Sequence, residues 1–153
     1  MIALLAPASA AAVTVVRASV SSLGVQGDSN SYGPALSANG RYVLFTSFAD
    51  DLVASDTNNT YDIFVHDLQT GTTTRVDVSS AGTQAEGGTI GGAISADGRY
   101  IAFSTASANL VPGDTNRTAD VFIRDTVSGT TQRVTLKPGG RQARYGSIFP
   151  FIS

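Results

Sequence analysis

Short runs of apolar residues, separated by turn-forming residues, make up most of this chain. Residues 99–105 carry apolar side chains on both faces, as in a strand that is covered on both sides. Residues 120–125 form a second run, and residues 130–136 form a third that is rich in β-branched residues. A further run ends at Ile94. Because no segment shows the 3.6-residue period of an amphipathic helix, the pattern predicts strands and essentially no helix.

Glycine-containing pairs punctuate these runs. Asn39-Gly40 and Asp97-Gly98 are typical of tight hairpin turns, because both residue types accept positive φ. We therefore expect Gly40 and Gly98 to adopt positive φ. Ser128-Gly129 marks another turn, between the second and third runs described above.

The strongest signal is an internal repeat with an offset of 58 residues. Residues 37–94 and 95–152 align without a gap and share 26 identities in 58 positions. The frame also extends outward, because Arg17, Gly24 and Gln26 precede Arg75, Gly82 and Gln84 by the same 58 residues. Repetition at such a period is typical of solenoids and propellers.

Each repeat reads as four short strands, which is the composition of a β-propeller blade. We predict an all-β chain, a partial β-propeller with two four-stranded antiparallel blades plus partial blades at both ends. The predicted segments are a blade tail at 13–32, blades at 33–90 and 91–148, and the start of another blade at 149–153. Within the tail, residues 14–20 copy the fourth strand and are predicted to form one.

The repeated signature resembles that of a known family. Residues 95–103, Ser-Ala-Asp-Gly-Arg-Tyr-Ile-Ala-Phe, resemble the Ser-Pro-Asp-Gly-Lys-x-Ile-Ala-Phe signature of TolB-like, WD-type β-propeller repeats, and residues 37–45 are a second match. The Asp-Val-Phe-Ile-Arg-Asp run at 120–125 resembles the continuation of such blades. The resemblance covers residues 17–153, although these repeats are longer than usual in their Asp-Thr-Asn loop. It implies a periplasmic or extracellular binding scaffold and not a reaction.

Composition and charge exclude several classes of partner and site. Charged residues make up 14% of the chain, against roughly 25% in average proteins. The formal net charge of −2 provides no global basic field, so we expect no nucleic-acid partner. The absence of cysteine excludes thiolate metal sites, and a single histidine excludes a multi-histidine site. No stretch reaches the ~20 apolar residues that a membrane-spanning helix needs.

The first residues read as a processing signal. Residues 1–12 are apolar and then small, and Ala10-Ala11-Ala12 fits a signal-peptidase site. We therefore predict a truncated signal peptide at 1–12, a mature chain that starts near Val13, and a periplasmic or extracellular location. The alternative is that these residues are a plain apolar start to the first strand.

The long loop of each repeat places oxygen-bearing side chains at every second position. Calcium takes six to eight oxygen ligands, and loops supply them at such spacings. The candidate calcium ligands are Asp56, Asn58, Asp62, Asp114, Asn116 and Asp120. The alternative is that these Asp and Asn side chains cap turns by bonding their own backbone.

No catalytic constellation is recognisable, and we expect no enzyme activity and no cofactor apart from calcium. A Gly-x-Ser-x-Gly nucleophile elbow is absent from the sequence. His66 aligns with Arg124 and is predicted to be a solvated surface residue. Arg75 and Arg133 are predicted to pair with an aspartate of their own blade. Asp67 and Asp125 are predicted to cap the turn that follows the third strand.

The first functional hypothesis is an exported, non-enzymatic binding or scaffold module with a protein or surface ligand. The alternatives are an accessory propeller of a larger secreted hydrolase or peptidase, and a calcium-dependent surface-binding module. The chain stops within the repeated signature, which predicts either a fragment of a longer propeller or self-association that completes the ring. Two blades are also expected to leave bare outer faces, lined by Phe45, Phe64, Phe103 and Phe122.

Overall fold

The computed structural model describes residues 14–153, so the predicted signal peptide at 1–12 lies outside the described residues. Two four-stranded antiparallel sheets and one short hairpin contain all the strands of the described residues. The strands are β1 (Ser31–Leu36), β2 (Tyr42–Ser47), β3 (Asp62–Asp67), β4 (Thr72–Arg75), β5 (Thr89–Ile94), β6 (Tyr100–Thr105), β7 (Asp120–Asp125), β8 (Thr130–Arg133), β9 (Leu136–Lys137) and β10 (Arg141–Gln142).

The two sheets are simple meanders with the same strand order and register. Strands β1–β4 form blade 1 and strands β5–β8 form blade 2, with each strand paired to its neighbour in sequence. Phe45 lies opposite Phe64 in blade 1, and Phe103 lies opposite Phe122 at the equivalent position of blade 2. The chain is therefore an all-β partial propeller, as predicted. The described residues contain no helix long and apolar enough to cross a membrane.

The hairpin turns adopt the predicted geometry. Gly40 and Gly98 have φ values of 70° and 80°, in the left-handed region that glycine enters without a steric penalty. The two turns also touch each other, because the Asn39 side-chain amide donates to the Asp97 carbonyl over 3.3 Å.

One shared core joins the blades. Leu44 and Ile63 project from blade 1, and Ile101, Phe103 and Phe122 project from blade 2 into the same apolar cluster. Because each strand alternates its side chains between two faces, the other face of blade 1 needs separate cover. The sequence-based expectation of bare faces lined by Phe45, Phe64, Phe103 and Phe122 is therefore wrong for the last two, which lie between the blades.

Phe45 and Phe64 are also buried, with 4% and 0% exposure, and this corrects the same expectation for blade 1. They form a second cluster with Ala49 and Leu52, which belong to the loop that follows β2. In blade 1 the loop thus covers the face that is turned away from blade 2, whereas Leu110 in the loop of blade 2 packs into the core between the blades.

The turn after β4 is hydrogen-bonded to β8, the fourth strand of the next blade. A bridge from Val78 to Gln84 closes this turn after β4. The Ser80 hydroxyl accepts from the Thr131 amide at 2.9 Å and donates to the Thr131 carbonyl at 3.3 Å, while Thr131 Oγ1 donates to the Val78 carbonyl at 2.6 Å. Ser22 makes the equivalent contacts with Thr73 in blade 1.

Two strand predictions near the ends are wrong. Residues 14–20 form no strand and make one isolated bridge at Val20, while Val15 and Val16 are 91% and 62% exposed. A strand-like sequence needs a neighbour to pair with, and none of the described strands pairs with this segment. The predicted fourth strand of blade 2 ends at Arg133, and Leu136 instead begins β9.

Candidate functional site

The long loop between the second and third strands brings the predicted ligand residues of each repeat together. In blade 1, the Asn58 side-chain amide donates to Asp62 Oδ1 at 2.9 Å and to the Ala85 carbonyl at 3.0 Å. Asn58 Oδ1 accepts from the Thr60 amide at 3.3 Å. Asn58 is therefore an internal brace of the loop, in line with the turn-capping alternative.

An arginine from β4 lies between the two carboxylates. Arg75 Nη1 is 3.2 Å from Asp56 Oδ1 and 3.5 Å from Asp62 Oδ2. The Arg75 side chain is 9% exposed and the Asp62 side chain is fully buried. The predicted pairing of this arginine with aspartates of its own blade is thus confirmed.

Gln84 completes the arrangement, and the sequence analysis missed its role. Gln84 Nε2 donates to Asp56 Oδ1 at 2.8 Å and to Asp62 Oδ2 at 3.1 Å. Its Oε1 accepts from the Thr57 amide at 3.3 Å. We call Asp56, Asp62, Arg75 and Gln84 the clamp. Because Gln84 belongs to the turn after β4, the clamp fixes the loop to the chain that enters the next blade.

Blade 2 repeats the clamp. Arg133 Nη1 lies 3.3 Å from Asp114 and 3.8 Å from Asp120. Gln142 Nε2 donates to the same two residues at 2.7 and 3.0 Å, and Asn116 donates to Asp120 at 3.2 Å. The same contacts thus recur at the equivalent positions of both blades. The clamp is therefore part of the blade architecture. The repeat of Gln26, Gln84 and Gln142 was the sequence signal for it.

The Arg75 guanidinium lies between the two carboxylates of the clamp, so it supplies the positive charge there. Burial, with the neighbouring Asp62 carboxylate, raises the pKa of Asp56 to about 6, and Arg75 opposes this increase. Within residues 14–153, no group of three or more acidic, histidine or cysteine side chains is arranged to hold a metal ion. Calcium binding by these loops stays a prediction, and an ion would have to compete with the guanidinium.

A third carboxyl group, that of Asp77, lies beside the two of the blade 1 clamp. Asp77 has no exposed surface, and its Oδ2 accepts from Thr89 Oγ1 at 2.5 Å. Burial raises the pKa of Asp77 well above its usual range, and Asp62 adds to the increase. In blade 2 the equivalent residue is Thr135, whose hydroxyl donates to Asp120 at 2.6 Å. Position 77 is thus suited to a neutral donor.

His66 is buried, so the prediction of a solvated surface residue is wrong. Its exposure is 6%, and its Nδ1 lies 2.8 Å from Thr73 Oγ1. Burial lowers the pKa of His66. Its counterpart Arg124 likewise reaches across its blade, donating to the Ser79 carbonyl at 3.1 Å. Arg124 thus contacts the turn of the preceding repeat directly. His66 reaches the equivalent turn through Thr73, whose hydroxyl donates to the Val20 carbonyl, and strand alternation did not indicate this.

Asp67 caps the turn between β3 and β4, as predicted. Its Oδ1 accepts from the Gln69 amide at 2.9 Å. Arg41 makes a bidentate pair with the same carboxylate, at 2.9 and 2.7 Å, and holds the pKa of Asp67 far below its usual range. Asp125 and Arg99 repeat this pair in blade 2.

Comparisons with known proteins concern the fold. No family model and no curated protein matches the chain. Among solved structures, it is similar to a protein assigned as TolB in Agrobacterium tumefaciens (20% identity, TM-score 0.48, 71% of this chain and 31% of that one). It is also similar to the β-propeller domain of the Trilobed protease from Pyrococcus furiosus (15% identity, TM-score 0.45, 69% of this chain and 27% of that one). TolB from Acinetobacter baumannii is similar at 17% identity and a TM-score of 0.42, with 78% of this chain and 26% of that one covered. The chain spans less than a third of the length of each of these proteins.

Proposed function

We propose that this chain is an exported, non-enzymatic binding or scaffold module built on β-propeller blades. The observation that supports the proposal is the clamp. In both blades its two aspartates are engaged by arginine and glutamine and are nearly or fully buried. Carboxylates used in this way fix a loop and are not free to act as general acids or bases.

The clamp also explains how such a module would bind. Binding residues are often found on loops that a rigid scaffold positions. In each blade an asparagine of the long loop, Asn58 or Asn116, donates to a carbonyl of the segment that follows the fourth strand. Other residues of the two loops remain exposed. A ligand would therefore meet loops whose backbone is already ordered, which lowers the entropy cost of binding.

Two measurements test the non-enzymatic binding role. The full chain, immobilised, is exposed to a cell-envelope extract, and we expect stoichiometric retention of a defined partner that free chain competes away. The same preparation is assayed against ester, peptide and glycoside substrates, where we expect no turnover. Because His66 is the single histidine, turnover that is lost in His66→Ala would overturn the non-enzymatic role.

Export is tested separately. Residues 1–30 are fused to an alkaline phosphatase that lacks its own leader, and residues 13–30 provide the matched control. The reporter needs disulfides, which form outside the cytoplasm. We expect activity from the first fusion alone. An inactive 1–30 fusion would contradict export by this segment.

Self-association is a further part of the proposal. Ile63 and Val65 of blade 1 are buried against blade 2, whereas their counterparts Val121 and Ile123 are half-buried on the outer face of blade 2. That face could accept a second copy in the way that blade 1 accepts blade 2. Light scattering after size exclusion tests this, and a stable monomer across the micromolar range would contradict it.

A further inference from the structure

Three aromatic side chains form an exposed group at the end of blade 1 that carries its long loop. Tyr61 is the central member. Its ring centroid lies 5.1 Å from that of Tyr32, with the planes at 59°, and 5.1 Å from that of Phe48, with the planes at 70°. The three side chains are 46%, 42% and 36% exposed for Tyr32, Phe48 and Tyr61 respectively. We call these three residues the aromatic group.

Blade 2 shows that the fold does not require aromatic residues at these positions. The residues 58 positions later are Ile90, Ala106 and Ala119. All three aromatic side chains are therefore replaced together, although the strands and register around them are the same. An aromatic group that one blade has and the other lacks serves something other than the blade itself.

Packing between blades does not account for the group either. The group lies on the face of blade 1 that is turned towards blade 2, because Tyr32 pairs with Thr46 and Thr46 pairs with Ile63, which is buried between the blades. Even so, the three aromatic side chains are between 36% and 46% exposed. Blade 2 therefore leaves a large part of the aromatic group open to solvent.

The surroundings of the aromatic group are acidic. The Phe48 amide donates to the Asn30 carbonyl at 3.1 Å, and the Asp28 amide donates to Asp51 Oδ1 at 3.1 Å, so these two segments lie side by side. Asp28, Asp50 and Asp51 are exposed, and none of them takes part in a salt bridge within the described residues. We call these three aspartates the acidic rim.

Two of the three charges of the rim are specific to blade 1. The corresponding residues of blade 2 are Glu86, Ala108 and Asn109. The Asn109 side chain accepts from the Glu86 amide at 3.2 Å, which is the hydrogen bond that Asp51 makes in blade 1. A neutral residue is therefore sufficient for the local structure, and the negative charge of Asp51 is additional to it.

Tyrosines outside the aromatic group have an arginine guanidinium stacked on their rings. Arg41 lies over Tyr42 at 4.9 Å from the ring centroid, and Arg99 lies over Tyr100 at 4.8 Å. Across residues 14–153, no arginine or lysine stacks in this way on a member of the aromatic group. Partial burial, with Tyr61 as neighbour, raises the pKa of Tyr32 to about 12, so its phenol stays neutral at physiological pH.

We propose that the aromatic group and the acidic rim bind an arginine side chain of a partner protein. The inference rests on the proposed binding function and names the chemistry of its ligand. A guanidinium attracts aromatic faces and also donates paired hydrogen bonds to carboxylates, so it matches both parts of the surface. A quaternary ammonium fits less well, because it forms no hydrogen bonds to the rim and is best held by a closed aromatic cage.

The test measures peptide affinity for the full chain by NMR titration at low salt. The probe is acetyl-Gly-Arg-Gly-Arg-Gly-amide, and the matched neutral probe carries citrulline in place of each arginine. The triple variant Tyr32→Ile, Phe48→Ala and Tyr61→Ala introduces the residues that blade 2 already tolerates. We expect the arginine peptide to bind the triple variant about 10-fold more weakly, equivalent to ~1.4 kcal/mol.

Further variants separate the contributions. Tyr145→Ala removes a tyrosine that is 77% exposed and lies outside the aromatic group, and we expect no change in affinity. Asp50→Asn with Asp51→Asn should weaken binding and reduce its dependence on salt, because exposed charges are screened. If the triple variant does not fold, the single variants Phe48→Ala and Tyr61→Ala provide the same comparison.

Three outcomes would overturn the proposal. They are equal binding of the citrulline peptide, unchanged affinity in the triple variant, and saturation by tetramethylammonium without binding of the arginine peptide. An envelope protein that is retained equally by the wild type and the triple variant would leave the proposed function intact and refute this inference. Specific retention of no envelope protein at all would refute the proposed function itself.

Discussion

Tyr42 lies over Gly98 so closely that a Cβ atom on the glycine would overlap the tyrosine ring. The two residues belong to different blades, at the base of the hairpin turn of blade 1 and within that of blade 2. The Asn39 amide, which donates to the Ala96 carbonyl at 3.3 Å, holds the two turns together. Gly98 thus has two reasons to be glycine, its positive φ and this contact.

Gly40 provides a matched comparison, because a Cβ at Gly40 would meet nothing within 4 Å. Both Gly40→Val and Gly98→Val place a β-branched residue at positive φ, which costs about 1 kcal/mol or more. Gly98→Val must also displace the Tyr42 ring, so we expect the larger loss of stability there. Urea unfolding of both variants measures the difference, and equal midpoints would show that the contact between the turns contributes nothing.

Loss of Arg75 should lower the free energy of unfolding substantially. Arg75→Met leaves Asp56 and Asp62 without their cation in a site where both are nearly or fully buried. Removing one partner of a buried ion pair typically costs ~3 kcal/mol or more. Arg41→Met is the control, because its pair with Asp67 is partly exposed and screened by solvent. Chemical denaturation of both variants tests this, and an equal effect would mean that burial of the clamp is unimportant.

Asp77 should make the protein less stable as pH rises. A folded-state pKa above the usual value means that the folded chain holds the proton more tightly than the unfolded chain. Its contribution is therefore fully present at about pH 4 and below, and is lost as pH rises through the raised pKa. Asp56, with a pKa raised to about 6, acts in the same direction.

Asp77→Thr introduces the residue of blade 2, whose hydroxyl donates to the clamp aspartate without a charge. It also removes the buried Asp77 Oδ1, which has no hydrogen-bond partner. We expect a gain of about 1–3 kcal/mol at pH 7 and a flatter profile of unfolding free energy between about pH 4 and 8. Asp77→Asn controls for loss of charge alone. A profile in Asp77→Thr as steep as that of the wild type would place the titration on another group.

Calcium should have little effect on the wild-type chain, because Arg75 and Gln84 already engage Asp56 and Asp62. Thermal unfolding with ~1 mM calcium, a concentration typical of weak extracellular sites, is compared with unfolding in chelator. In Arg75→Met the carboxylates lose their cation, so we expect calcium to raise the melting temperature of that variant. A wild-type shift that is lost in Asp56→Ala with Asp114→Ala would instead establish the two loops as calcium sites.

The sequence was most informative where the repeat and the chemistry of single residues agreed. β3 and β7 begin and end at the predicted residues, because aspartates flank both apolar runs. The positive φ of Gly40 and Gly98 followed from the turn alone. His66 was misplaced because its burial depends on Thr73 and a turn about 45 residues earlier in the chain, and strand alternation carries no such information.

Only the arginine pairing of the clamp could be predicted from the sequence, and the role of Gln84 could not. The arginine pairing could be inferred, since Arg75 and Arg133 recur with aspartates in the same repeat. Gln84 lies in the turn after β4, and its role requires the loop and the turn to meet in space. The aromatic group was missed because its members are separated along the chain and differ between the repeats.

The contact of Ser80 with Thr131 has a consequence for how such a chain can change in evolution. It links residues 51 positions apart, and Ser22 with Thr73 spans the same interval. A unit that supplies both a serine in its turn and a threonine in its fourth strand can therefore be joined to a copy of itself, whereas Pro138 stands at the serine position of the turn after β8. A tandem duplication of one unit would present each new junction with partners that already fit, so blades could be added without redesigning any existing contact.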